Sequence, residues 1–108
     1  CQDMTHRAVA YLMEHYAQPL TLDIAAHDLG LGRYQLSRLF TNRLGMHFTA
    51  YVNALRVCRA QELLDSTDWP ISQIGYTCGF ENPRTFNRVF LQQCGLSPSQ
   101  YRKQQAAS

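Results

Sequence analysis

No stretch of the 108 residues is apolar over the roughly 18 positions that a membrane-crossing helix needs, and no charged-then-apolar leader opens the chain. Neither a spanning segment nor an export signal is therefore expected. Cysteine is scarce, and Cys1, Cys58, Cys78 and Cys94 form no C-x-x-C pair that would offer zinc two adjacent thiolates. His6, His15, His27 and His47 lack the i, i+4 pairing of a helical metal site and read as solvated surface side chains. Catalytic patterns are missing as well: there is no Ser/His/Asp order, no paired carboxylates, no phosphate-cradling G-x-x-x-x-G-K, and no histidine beside Cys78 or Cys94. No enzyme, no metal and no cofactor is expected. Charge is low, with 17% charged residues and a formal net charge of +2, while 45% of residues are hydrophobic, so a folded core is favoured over disorder. The size, 12.4 kDa, suits one ordinary domain or two very small ones. Because the first residue is Cys1 and not Met, the chain reads as a fragment of a longer protein, with any sensing or dimerising part outside it. Reduced, mostly packed thiols suit a cytoplasmic location.

What charge there is lies unevenly. Asp3, Glu14, Asp23 and Asp28 stand against Arg7 alone in the first 28 residues. Between Asp28 and Glu62 come Arg33, Arg38, Arg43, Arg56 and Arg59 with no acid, and after Glu81 come Arg84, Arg88, Arg102 and Lys103, again with none. Two basic stretches in a balanced chain suit a polyanion touched at two places, although scattered solvated arginines would give the same count.

Apolar residues recur at helical spacing nearly throughout and no period-two strand is visible, which predicts an all-α fold. Val9, Leu12, Met13 and Tyr16 form the stripe of a first helix closed off by Pro19. The next stripe, Leu22, Ala25, Ala26 and Leu29 ended by Gly30, returns at an offset of 49 as Ile71, Ile74, Gly75 and Cys78 ended by Gly79. One further residue in the second turn makes the offset 50, so that Leu36, Leu39, Phe40, Leu44 and Gly45 answer to Phe86, Val89, Phe90, Cys94 and Gly95. Arg38 aligns with Arg88 and Tyr51 with Tyr101. Two copies are too few for a solenoid. The expectation is two similar helical modules, residues 20–47 and 69–97. A helix over 48–66 would join them, with Tyr51, Val52, Leu55, Arg59, Leu63 and Leu64 facing inward, and a last helix would start beside Pro98 and be anchored by Tyr101.

Each module has the layout of a helix-turn-helix: a short helix, a glycine turn and a longer helix. Ala26 or Gly75 sits where two helices would cross closely, and Gly30 or Gly79 can take the positive φ that the reversal requires. Leu31 and Phe80 would plug the turns into the core. Asn82 followed by Pro83 reads as an N-cap and first helical residue, leaving N–H groups free to face a phosphate, whereas Gly32 is a weaker cap by a few tenths of a kcal/mol. The exposed face of the first longer helix would carry Arg33, Tyr34, Ser37, Arg38 and Thr41; that of the second, Arg84, Thr85, Asn87, Arg88 and Leu91. Arginine can donate two bonds to guanine O6 and N7, and asparagine pairs with adenine, so such faces can read a major groove.

From Leu20 to Arg102 the chain resembles the DNA-binding domain of the AraC/XylS family of bacterial transcription regulators. The resemblance is carried by L-T-L-D-I-A-A-H-D-L-G-L (Leu20 to Leu31), L-S-R-L-F (Leu36 to Phe40), Y-V-N-A-L-R (Tyr51 to Arg56), I-S-Q-I-G-Y-T-C-G-F (Ile71 to Phe80), F-N-R-V-F (Phe86 to Phe90) and G-L-S-P-S-Q-Y-R (Gly95 to Arg102). It implies about seven helices arranged as two helix-turn-helix subdomains of homeodomain-like kind, about 4–47 and 69–106, joined by a linker helix, about 48–66. It also implies a transcriptional activator that inserts two recognition helices into successive major grooves. The family's base-contacting positions map onto Tyr34, Ser37 and Arg38, and onto Arg84, Thr85, Asn87 and Arg88. Gly32 departs from the family's usual Ser and Gly75 from its usual Ala.

The partner expected on this reading is double-stranded DNA, bound by a single copy of the fragment. RNA polymerase is a further partner, no membrane is involved, and the full-length protein would dimerise through a missing domain. The linker helix, ~28 Å long at ~1.5 Å per residue, is comparable to the ~34 Å between successive major grooves on one face of a duplex. The competing function is a helical protein-interaction domain that contacts RNA polymerase or a partner subunit through Ile24 and Trp69.

Overall fold

The computed structural model describes residues 2–107; Cys1 and Ser108, which the expected domain and its set of reduced thiols included, lie outside the described residues. Seven α-helices follow one another with no strand among the described residues: α1 (Gln2–His15), α2 (Leu22–Leu29), α3 (Arg33–Leu39), α4 (Phe48–Ser66), α5 (Ile71–Thr77), α6 (Pro83–Cys94) and α7 (Pro98–Ala107). A turn of π-helix, Phe40–Leu44, continues α3. The chain forms two compact units, Cys1–Asn53 and Ala54–Ser108, and α4 carries it from one into the other.

In the first unit, Ala8 and Leu12 of α1 are buried with Ala25 and Ala26 of α2, Leu36 of α3, Phe40, and Phe48 and Val52 of α4. The Phe40 ring meets Phe48 edge-on and Tyr51 at a tilt, each 5.5 Å between centroids. Two polar contacts tie α1 to α2: the Tyr11 hydroxyl donates to the Asp28 carboxylate, and Arg7 Nη2 donates to the Leu29 carbonyl at 3.5 Å. The Tyr11 phenol is pushed up to about 12, by burial first and then by the hydrogen bond and negative charge of Asp28. The stripe expected for α1 is rotated. Met13 is 61% exposed and Ala8 takes an inward place instead, because a helix packing closely on the alanine face of α2 favours a small side chain over a long one. His6, His27 and His47 are exposed; His15 is half-buried and lies 4.5 Å from the Tyr11 ring.

The second unit is built on Val57, Ala60, Leu63 and Leu64 of α4, Ile74 and Cys78, Phe80, and Phe86, Val89 and Phe90 of α6, with Ile71, Cys94 and Tyr101 packed against them. Phe86 and Phe90 are wholly buried, each contributing about 1.5–3 kcal/mol by removing its ring from water. Ring centroids run from Phe80 to Phe86 (5.1 Å), to Phe90 (5.8 Å) and to Tyr101 (5.6 Å), so the expected anchor role of Tyr101 in α7 holds. Helix α7 opens with a reciprocal cap: Gln100 N donates to Ser97 Oγ at 3.2 Å, and Ser97 N donates to Gln100 Oε1 at 3.0 Å.

Arg59, expected to face inward from α4, is exposed and pairs with Glu62 one turn away at 3.2 Å. Burying a guanidinium without a partner is costly, and Val57 and Ala60 fill the inward positions. Tyr51 and Leu55 are only half-buried. The thiols also depart from expectation, since among the described residues Cys58 is exposed, Cys94 half-buried and only Cys78 fully buried. Burial pushes the Cys78 thiol up to about 11, which leaves it a poor nucleophile.

Candidate nucleic-acid interface

Both turns close by the same local chemistry. In the first, Leu31 N donates to the Ala26 carbonyl at 2.9 Å while Gly30 sits at φ +72°; in the second, Phe80 N donates to the Gly75 carbonyl at 3.0 Å while Gly79 sits at φ +107°. A side chain would strain either glycine, and the bond that spans each turn sets where the following helix starts. Phe80 is buried beneath its turn and Leu31 half-buried beneath the other. The close crossing expected at Gly75 is present, for a methyl group added there would lie 2.7 Å from Cδ2 of Phe86 and 2.9 Å from its Cγ.

Helix α6 begins on Asn82, whose Oδ1 accepts from Thr85 N at 2.8 Å, with Pro83 as its first residue. Helix α3 begins on Gly32, which has no side chain to offer; instead its N–H donates to Gln35 Oε1 at 3.4 Å. The two longer helices also end differently. Gly95 N donates to the Leu91 carbonyl at 2.9 Å, the ordinary α spacing, whereas Gly45 N donates five residues back to Phe40, the widened spacing of the π turn.

On the first unit Arg33, Tyr34 and Ser37 line one shallow recess together with Leu22. Tyr34 is 85% exposed. Arg33 Nε lies 3.6 Å from Asp23 of α2, and with both side chains largely in solvent this is a weak tie. Arg38 is exposed but opens on a neighbouring recess, with Met4, Thr5, Gln35, Asn42 and Arg43. Arg43 was not among the expected site residues. It shares that recess with Arg38 and lies on the π turn, of which the spacing of the sequence gives no sign. Ser37 and Thr41 are half-buried rather than exposed, and the Thr41 hydroxyl donates to the Ser37 and Arg38 carbonyls, each at 3.3 Å.

On the second unit Arg84, Asn87, Arg88 and Leu91 are exposed along α6 and Thr85 is half-buried, while Phe86, Val89 and Phe90 face the core. Among the described residues neither Arg38 nor Arg88 has an ion pair or a side-chain hydrogen bond within the protein. The basic stretches are otherwise thinner than their arginine counts suggest. The Arg56 guanidinium is half-buried 5.7 Å over the Phe80 ring, and burial lowers its pKa from the ordinary arginine value. Arg102 is spent on the end of α4 and the loop beyond, donating to the carbonyls of Leu64 (3.4 Å), Thr67 (3.1 Å) and Trp69 (2.8 Å). Arg33, Arg38, Arg43, Arg59, Arg84, Arg88 and Lys103 remain exposed, with Arg59 paired to Glu62 and Arg33 close to Asp23.

Two helix-turn-helix units, each displaying an arginine-bearing second helix, define a protein of the DNA-binding regulator class. The chain matches a family described as a helix-turn-helix domain over residues 25–104. It is 32% identical over 102 residues to the transcriptional activator RhaR of Klebsiella pneumoniae, covering 94% of this chain and 36% of that protein, so it spans about a third of RhaR. A solved regulator from Chromobacterium violaceum with an AraC-type DNA-binding domain superposes with a TM-score of 0.88 at 34% identity, covering 97% of this chain and 94% of that one. The DNA-binding domain of the global transcriptional factor AdpA, solved in complex with a target DNA, superposes with a TM-score of 0.90 at 27% identity, covering 95% of this chain and 93% of that one. The chain belongs to the AraC family of transcription regulators, as its helix-turn-helix domain. That family is one of regulators and not of enzymes. Among the described residues no helix is long and apolar enough to cross a membrane, and no group of His, Cys, Asp and Glu could hold a metal ion.

Proposed function

We propose that this chain reads the sequence of double-stranded DNA through two recognition helices, α3 with its π turn in the first unit and α6 in the second, each entering a major groove. The observation that carries the reading is the pair of exposed guanidiniums, Arg38 and Arg88, at equivalent places in two repeated motifs and without acid partners among the described residues. Each is assigned a bidentate contact to guanine O6 and N7, and Asn87 a contact to adenine N6 and N7. Arg33, Tyr34 and Ser37 on the first unit, and Arg84 and Thr85 on the second, are assigned to flanking base edges or phosphates.

Catalysis has no part in this reading. One copy of the chain occupies one duplex in the bacterial cytoplasm, and transcription is activated through contact with RNA polymerase. Selection of bound sites from a random duplex pool tests the proposal, and two short blocks about ten base pairs apart are expected, the repeat of a groove on one face of B-DNA. A single block would remove one unit from the reading.

A second reading, a protein-interaction domain, is favoured by the exposure of Ile24 (46%) and Trp69 (38%). A gel shift with random duplex separates the two readings. Binding that weakens steeply with salt supports the first, and no binding at any salt supports the second.

A further inference from the structure

Helix α6 has one apolar side chain that its packing does not use. Phe86, Val89 and Phe90 are buried on one side, yet Leu91 is 49% exposed and continues the row formed by Arg84, Asn87 and Arg88. Those four residues have the i, i+3, i+4, i+7 spacing that lies on one side of a helix. It is also the spacing at which a homeodomain-type recognition helix touches base edges. The first unit has no equivalent: Thr41, at the matching place, is half-buried with its hydroxyl spent on backbone carbonyls.

In a major groove the only apolar group a base pair presents is the C5-methyl of thymine. We infer that Leu91 is a specificity-determining residue that packs on a thymine methyl group, at the end of the second block away from the base pairs contacted by Arg84. The inference rests on the DNA-reading function proposed above. Arg84, Asn87 and Arg88 then select by hydrogen bonds, and Leu91 excludes cytosine and deoxyuridine at one position by the methyl they lack.

The experiment replaces each thymine of the selected duplex by deoxyuridine, one at a time, and measures affinity for the whole chain and for Leu91→Ala. Deoxyuridine keeps every hydrogen-bonding group and removes only the methyl, so the probe leaves the protein untouched. One replacement within the second block should weaken binding by the unaltered chain about fourfold, the equivalent of one buried methyl-sized group at ~0.8 kcal/mol. The same replacement should leave Leu91→Ala unaffected. If the chain binds its selected duplex but no replacement separates it from Leu91→Ala, the inference is overturned and the DNA-reading proposal stands. If the chain binds no duplex in preference to random DNA, both fall.

Discussion

Replacing Gly75 by alanine should destabilise the second unit, against the usual trend for a glycine inside a helix. Alanine is favoured over glycine there by about 1 kcal/mol of helix propensity. Against this, the new methyl would lie 2.7 Å from Cδ2, 2.9 Å from Cγ and 3.2 Å from Cβ of Phe86. Two of those atoms are at the root of the side chain, where rotation of the ring gives no relief, and Phe86 itself is wholly buried. Relief therefore requires α5 and α6 to move apart by several tenths of an ångström, and overpacking of this kind costs about 1–3 kcal/mol. The net expectation is a loss of between about 0 and 2 kcal/mol, read from urea unfolding of Gly75→Ala beside the unaltered chain. Because α6 carries Arg84, Asn87 and Arg88, the same change should weaken DNA binding more at the second selected block than at the first. A gain of about 1 kcal/mol, the full propensity difference, with DNA binding unchanged would refute the reasoning.

Three other expectations concern different parts of the chain. Gly32→Ser meets open space and an ordinary φ of −73°, and should stabilise the first unit by a few tenths of a kcal/mol in thermal unfolding by supplying the missing cap hydroxyl. Arg102→Ala leaves three carbonyls without their charged donor and should cost about 1.5–3 kcal/mol of stability while leaving base preference unchanged, as compared by unfolding and by binding to singly substituted duplexes. Tyr11 keeps its proton more firmly in the folded state, so the stability it contributes is complete below about pH 10 and is lost as pH rises towards about 12. Over that window the unaltered chain should lose more stability than Tyr11→Phe, and equal losses would show that the Tyr11–Asp28 contact does not form in solution.

The features legible in the sequence are those fixed by the local backbone. Gly30 and Gly79 are needed for φ, Asn82 and Pro83 start α6, Gly75 permits a close approach to Phe86, and each leaves its mark at one position. For that reason the duplicated motif, α4 over 48–66 and the anchor at Tyr101 could be placed in advance. The fates of the arginines could not, because they depend on what lies across the fold: the carbonyls at the end of α4 for Arg102, the Phe80 ring for Arg56, and Glu62 for Arg59. The π turn was hidden for another reason. Leu36 to Gly45 and Phe86 to Gly95 have the same spacing, yet only the first run is π-helical, so neither composition nor period marks it. Arg43, which lies on that turn and shares a recess with Arg38, is likewise unmarked in the sequence.

The central claim is that Arg38 and Arg88 each read a base pair, and affinity measured against every single-base-pair variant of the selected duplex tests it most directly. Arg38→Ala and Arg88→Ala should each lose about 1–3 kcal/mol on the best site and become indifferent to the base at one position, a different position for each. An equal loss on all sequences would make both residues phosphate contacts, and no loss from either would remove them from the interface.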